Sequence, residues 1–257
     1  MNRRQSKRAV ESAIRTLVVS ISTSEKILHS PRAIAQGSSH GQIAKWERLR
    51  SGKYLRPAAE VYSGSHHRAL MAGVRKVRRA LGTGAVSIVF ISPVYGVVGE
   101  HQLIAPYTES FDKKTDRWIR TRARELNIPS RIRAAIRGWP LVVFLLHLKQ
   151  LRAIEPPLEP EAGQRLIFLA GEKSSAMLAY GGVTVVSVTP SDSNVYGARG
   201  ASLKGKLFQL YADTISEQGQ RLWKRTLQDD LPTTFMTAVR QAMADDEYRS
   251  TRFSASN

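Results

Sequence analysis

Five apolar runs punctuate the chain: Thr16 to Ile21, Val86 to Ile91, Leu141 to Leu146, Arg165 to Leu169 and Val183 to Val188. They are rich in β-branched residues and show no clean alternation of apolar and polar positions, the pattern of strands covered on both faces. Between most of them lie segments with helical character: Ala59 to Leu81, Thr115 to Leu126, Ser130 to Arg137, Ser202 to Leu227 and Pro232 to Ala244. Strands that alternate with helices predict an α/β fold, a single domain with a mainly parallel central sheet flanked by helices. That domain is expected over residues 16–249, with a basic helical insertion at about 113–140, a basic segment at 1–15 and a frayed tail at 250–257. The Pro- and Glu-rich stretch Ile154 to Gly163 reads as an extended surface loop, because two strand signals follow it. In such sheets ligands gather where strands end, so the segments just after the strands are where chemistry is expected.

Charge narrows the field of partners. The chain of 257 residues carries 39 Lys+Arg against 21 Asp+Glu, a formal net charge of +18. Self-repulsion of this size opposes compaction, so a polyanion is the leading partner, nucleic acid before an anionic membrane surface. The excess lies in Lys45 to Arg79 and Lys113 to Arg137, while Asp213 to Glu247 is acidic. Trp46, Tyr54, Trp118 and Trp139 sit among those bases, a mixture suited to tracking phosphates and stacking bases, although solvated helix faces with core tryptophans would read the same way. Zero cysteines exclude a disulfide scaffold, thiolate zinc sites and a cysteine nucleophile. Leu141 to Leu146 is far short of the roughly 20 residues of a membrane-spanning helix, and the basic start precedes an apolar stretch too brief for a secretory segment. The reading is a cytoplasmic protein without a membrane partner.

Several motifs fail. Gly200-Ala201-Ser202-Leu203-Lys204-Gly205-Lys206-Leu207 nearly spells a phosphate-binding loop, but Leu207 stands where the magnesium-binding hydroxyl belongs and no buried strand ends directly before Gly200. His66 and His67 are adjacent and point to opposite faces of a helix or strand, unlike the i, i+4 spacing of a helical metal site. Nothing in the sequence asks for a metal or a cofactor.

Two strand ends carry the informative residues. After the first strand, Ser22, Ser24 and Lys26 form a hydroxyl-rich turn ending in a cation, equally readable as a helix cap with spare serines. After the second come Ser92, Tyr95, Glu100, His101, Tyr107, Glu109 and Asp112, the densest catalytic-type chemistry in the chain. With Tyr62-Ser63-Gly64 leading a helix, this order resembles the YaaA-like group of DNA-interacting proteins over roughly residues 16–112, with a weaker echo at Tyr196 to Leu210. Ile21 stands where relatives typically carry a cysteine, and the second turn departs from their Ser-Ala-Lys-Tyr-Gly-Leu. The group is similar to the uracil-DNA-glycosylase superfamily, and within it the chain resembles most the Brig-type anti-phage DNA glycosylases. That resemblance implies excision of a modified base, glucosylated hydroxymethylcytosine of T-even phage DNA, leaving an abasic site in double-stranded DNA.

Such chemistry needs a carboxylate beneath the sugar to stabilise positive charge and orient water. Glu100 is the first candidate and Asp112 the second, although Asp112 also suits a helix cap. Ser22, Ser24, Ser92, Tyr95, Tyr107, Tyr62 and Ser63 are expected to line a base and sugar pocket, Tyr95 or Tyr107 stacking on the base. Lys26, Arg68, Arg75, Lys113, Lys114, Arg117, Arg120, Arg131 and Lys204 are expected to contact DNA, with Lys26 also a candidate for Schiff-base lyase chemistry. The rival readings are a non-catalytic DNA-binding stress protein of the same group, an RNA- or nucleoside-modifying enzyme of related fold, and a nuclease, the last weakened by the lack of an evident metal-binding carboxylate pair.

Overall fold

The structure, a computed structural model, describes residues 15–22, 55–198, 200–228 and 230–254. Six strands form the central sheet: β1 (Thr16–Ile21), β3 (Val86–Ser92), β4 (Gly96–Gly99), β6 (Leu141–Leu145), β7 (Arg165–Ala170) and β8 (Val183–Ser187). Their order is β4-β3-β1-β6-β7-β8, and every neighbouring pair is parallel except the β3–β4 hairpin. Two short strands, β2 (Arg56–Pro57) and β5 (Leu103–Ile104), pair antiparallel beside it. All five apolar runs become strands, and the α/β class with a mainly parallel sheet is the fold observed.

The period of two along each strand divides the core. Val18, Ile88, Phe90, Val143, Leu145, Ile167 and Leu169 face one side, where α2 (Ser65–Leu81), α8 (Ala201–Gln218), α9 (Gln220–Gln228) and α10 (Leu231–Ser254) pack. Leu17, Val19, Ile21, Val142, Phe144, Leu166 and Phe168 face the other, against α3 (Asp116–Glu125), α4 (Ile128–Ile136) and α5 (Leu148–Ile154). Phe144 and Phe168 stack there at 4.1 Å. Shorter helices complete the chain: α1 (Ala58–Val61), α6 (Glu172–Ser175) and α7 (Asp192–Val195).

The crossovers place the functional end. From β1 the chain passes over one face through α2 to β3, then returns over the other face through α3 and α4 to β6, on the far side of β1. The order therefore reverses between β1 and β6, and a crevice opens beyond their carboxyl ends.

Close approach of α2 and α8 explains the near-match to a phosphate loop. A Cβ at Gly205 would lie 2.4 Å from the His66 carbonyl oxygen, and one at Gly73 would lie 3.0 Å from the Gln209 Cα. These glycines serve helix packing. Gly205→Ala is expected to cost about 1–3 kcal/mol through overpacking, read as a lower denaturant midpoint. The expected single helix at 202–227 breaks at Gly219, where φ is +64°, a conformation glycine adopts without strain.

Candidate active site

A cleft of about 740 Å³ lies at the carboxyl ends of the parallel strands. Ile21 and Ser22 line it from the end of β1, His147, Leu148 and Gln150 from the end of β6, and Gly171 to Ser174 from the end of β7. Val188, Thr189, Pro190 and Ser193 contribute from beyond β8, and Gly200, Leu203 and Lys204 from the start of α8. Asp112 enters from the loop ahead of α3. It does not cap that helix, because Thr115 occupies the cap and its Oγ1 accepts from the Trp118 N–H at 3.3 Å. Its carboxylate Oδ2 instead accepts from Ser110 Oγ at 2.9 Å.

Beside this cleft the expected pocket residues do gather, but as a closed network. Ser92 Oγ donates to the Tyr107 hydroxyl at 2.8 Å, and the Tyr107 and Tyr62 hydroxyls are 2.9 Å apart. The backbone N–H groups of Val94 and Tyr95 donate to Ser92 Oγ, each at 3.1 Å. Ser22 Oγ donates to the Ile91 carbonyl at 2.9 Å and also reaches the Tyr107 hydroxyl. Burial raises the pKa of both tyrosines, Tyr62 well above its ordinary value, so the network is one of neutral hydroxyls. Tyr95 is buried too, its hydroxyl accepting from the Ala105 N–H at 3.0 Å. The expectation that Tyr95 or Tyr107 stacks on a base is therefore corrected: both are internal, and their hydroxyls set the shape of the β3 turn. Of this group only Ser22 lines the cleft. Ser63 is half-buried, its carbonyl accepting from Arg68 Nη1 at 2.7 Å.

Glu100 is also corrected. β4 runs antiparallel to β3, so the chain returns toward the start of β3 before reaching residue 100. There Glu100 is 5% exposed, 2.6 Å from Arg78 Nη2, and accepts from the Ile88 N–H at 3.1 Å. It holds the amino end of the sheet, opposite the cleft. Glu109 is likewise buried and paired with Lys114 at 2.9 Å.

The expected DNA contacts divide in the same way. Arg68, Arg75, Lys113, Arg117 and Arg120 are exposed. Lys114 is engaged by Glu109 and lies 4.7 Å from the Trp118 ring centroid. Arg131 donates from Nη1 to the Tyr95 carbonyl at 3.0 Å and from Nη2 to the Val97 carbonyl at 2.5 Å, which makes it a brace for β4 instead of a free DNA contact. Lys204 is only 6% exposed and donates to the Leu146 carbonyl. Burial lowers its amine to about 8. Ser24 and Lys26 lie outside the described residues.

His147, Gln150, Glu172, Lys173 and Ser193 are cleft residues that the sequence reading missed. The signal that locates them is positional, since each lies within a few residues of the carboxyl end of a parallel strand. Gln150 is buried at the cleft wall, and among the described residues its Oε1 has no hydrogen-bond partner. Among the described residues no helix is long and apolar enough to cross a membrane. Compared with known proteins, the chain matches no family model and no curated protein.

Proposed function

We propose that the protein is a DNA N-glycosylase of uracil-DNA-glycosylase-like architecture, taking a flipped, modified base such as glucosylated hydroxymethylcytosine of phage DNA into the switch-point cleft. The observation that carries this reading is the place of Asp112. It lines a cleft of about 740 Å³ and is followed in the chain by the exposed cations Lys113, Arg117 and Arg120. That volume falls within the roughly 300–1,000 Å³ of ordinary ligand sites.

Extruding a base costs a few kcal/mol, which phosphate contacts from these cations offset. Breaking the N-glycosidic bond sends its electron pair to the base and leaves positive charge on the sugar. The Asp112 carboxylate stabilises that charge and orients a water, whose oxygen bonds to C1′ while its proton passes to the carboxylate. Gln150 offers the acceptor for the exocyclic amine of a cytosine-type base.

The test incubates the full chain with phage DNA carrying glucosylated hydroxymethylcytosine, with DNA carrying hydroxymethylcytosine, and with plain DNA, then counts aldehydes with an aldehyde-reactive probe. Aldehydes are expected on modified DNA and none on plain DNA. Binding without aldehydes on any modified substrate overturns the enzyme reading in favour of a DNA-binding protein. Cut backbone without released base points to a nuclease.

A further inference from the structure

Lys204 is a charged side chain that the proposed excision step does not use. It projects from the first turns of α8 into the cleft wall, and its amine reaches the Leu146 carbonyl at the end of β6. Only 6% of the residue is exposed, and among the described residues no carboxylate forms an ion pair with it. A buried ammonium held by one neutral acceptor is costly, and an anion brought by a ligand relieves that cost.

We infer that Lys204 anchors a phosphate subsite in this cleft, receiving the 5′-phosphate of the nucleotide whose base is bound. Among the described residues the Leu146 carbonyl takes one of the three N–H groups of the ammonium, leaving two for ligand oxygens. Ser174 and Ser193 line the same space and supply hydroxyls. A phosphate, with three strong acceptor oxygens, matches such a set of donors better than a single carbonyl does. This inference rests on reading the cleft as a nucleotide pocket, and its test reads binding apart from excision.

The lowered amine gives the subsite a pH signature. Without ligand, the amine loses its proton near pH 8. A bound phosphate favours the charged form, so binding takes up a proton when the pH is above that value, and affinity falls as pH rises from 7 to 9. Asp112, His147, Glu172 and Lys173 line the cleft with Lys204, Asp192 is tied to Thr189 at its rim, and His66 lies behind Gly205. All are shared by wild type and Lys204→Met, so the difference between the two proteins reports Lys204.

Calorimetric titration of the full chain with 2′-deoxycytidine 5′-monophosphate, deoxycytidine and inorganic phosphate decides the matter. Wild type is expected to bind the monophosphate at least tenfold more tightly than the nucleoside at pH 7, with the preference shrinking toward pH 9. Lys204→Met, close in volume and uncharged, is expected to lose the preference while keeping the melting temperature at or above that of wild type. Inorganic phosphate that binds Lys204→Met as well as wild type is held elsewhere and overturns the subsite. So does a wild type with no preference for the monophosphate, or a preference that does not change with pH, and both measurements need no variant. If the nucleotide binds as expected but no base is excised, the glycosylase reading fails and the subsite stands.

Discussion

Glu100→Ala is expected to lower the stability of the fold by about 3–5 kcal/mol, the cost of breaking a buried ion pair by removing one partner. The Glu100 side chain is 6% exposed and that of Arg78 20%, so water solvates neither group well. Arg78 also donates from Nε and Nη2 to the Val86 carbonyl, at 3.1 and 2.7 Å. The guanidinium thus joins the last turns of α2 to the start of β3, and Glu100 supplies its counter-charge while accepting from Ile88. Removing the carboxylate leaves a buried cation and a buried N–H without that acceptor. Urea unfolding is expected to show a lower midpoint at unchanged slope. Base release per folded molecule is expected to stay at the wild-type level. A native midpoint in Glu100→Ala would refute the structural role, and a normal midpoint with lost excision would return this residue to catalysis.

Asp112→Asn is expected to slow base release a hundredfold or more while DNA binding is kept or slightly strengthened. The substitution preserves shape and the capacity to accept from Ser110, but removes the negative charge and the proton acceptor. General-base contributions are typically 10²–10⁴-fold. Single-turnover excision on modified DNA, alongside a binding isotherm at fixed salt, separates the two effects. Full excision by Asp112→Asn would remove this residue from the chemistry and leave the excision assay itself to judge the enzyme.

Much of the fold could be read from the chain because its strands are buried on both faces. Thr16 to Ile21 is a strand with these same limits, and the other four differ by one residue at their carboxyl ends. β4 was not legible: Gly96–Gly99 is four residues long and follows a strand almost directly, so nothing in its pattern marks a reversal. That reversal is what separates Glu100 from the cleft, and sequence proximity to a strand end was therefore misleading. α5 was hidden for a different reason. Leu148–Ile154 is only seven residues long and follows the apolar run of β6 after His147 alone, and its Lys149 and Arg152 both engage Asp116 of α3.

The tyrosines were legible as a cluster but not as a closed one, because a hydroxyl offered to a ligand and one satisfied internally look alike in a sequence. Lys204 was expected to contact DNA. Its neighbours Leu203 and Leu207 place it close to a buried helix face, and only packing against the end of β6 shows how deeply it is held. The cleft itself draws on six separate stretches of chain, brought together by the reversal of strand order between β1 and β6.

The brace from Arg131 to β4 has a consequence for assembly. Sheets grow by adding strands to unpaired edges, and an outer strand with free carbonyls is an open template. On the outer strand β4 and the turn before it, the Tyr95 and Val97 carbonyls are both taken by one guanidinium. Gly96 lets it approach, since a Cβ there would lie 2.8 Å from Arg131 Nη1. A strand from another molecule would have to displace that guanidinium before it could pair. Arg131 thereby guards this edge against aggregation, a protective role for a residue whose charge first pointed to DNA.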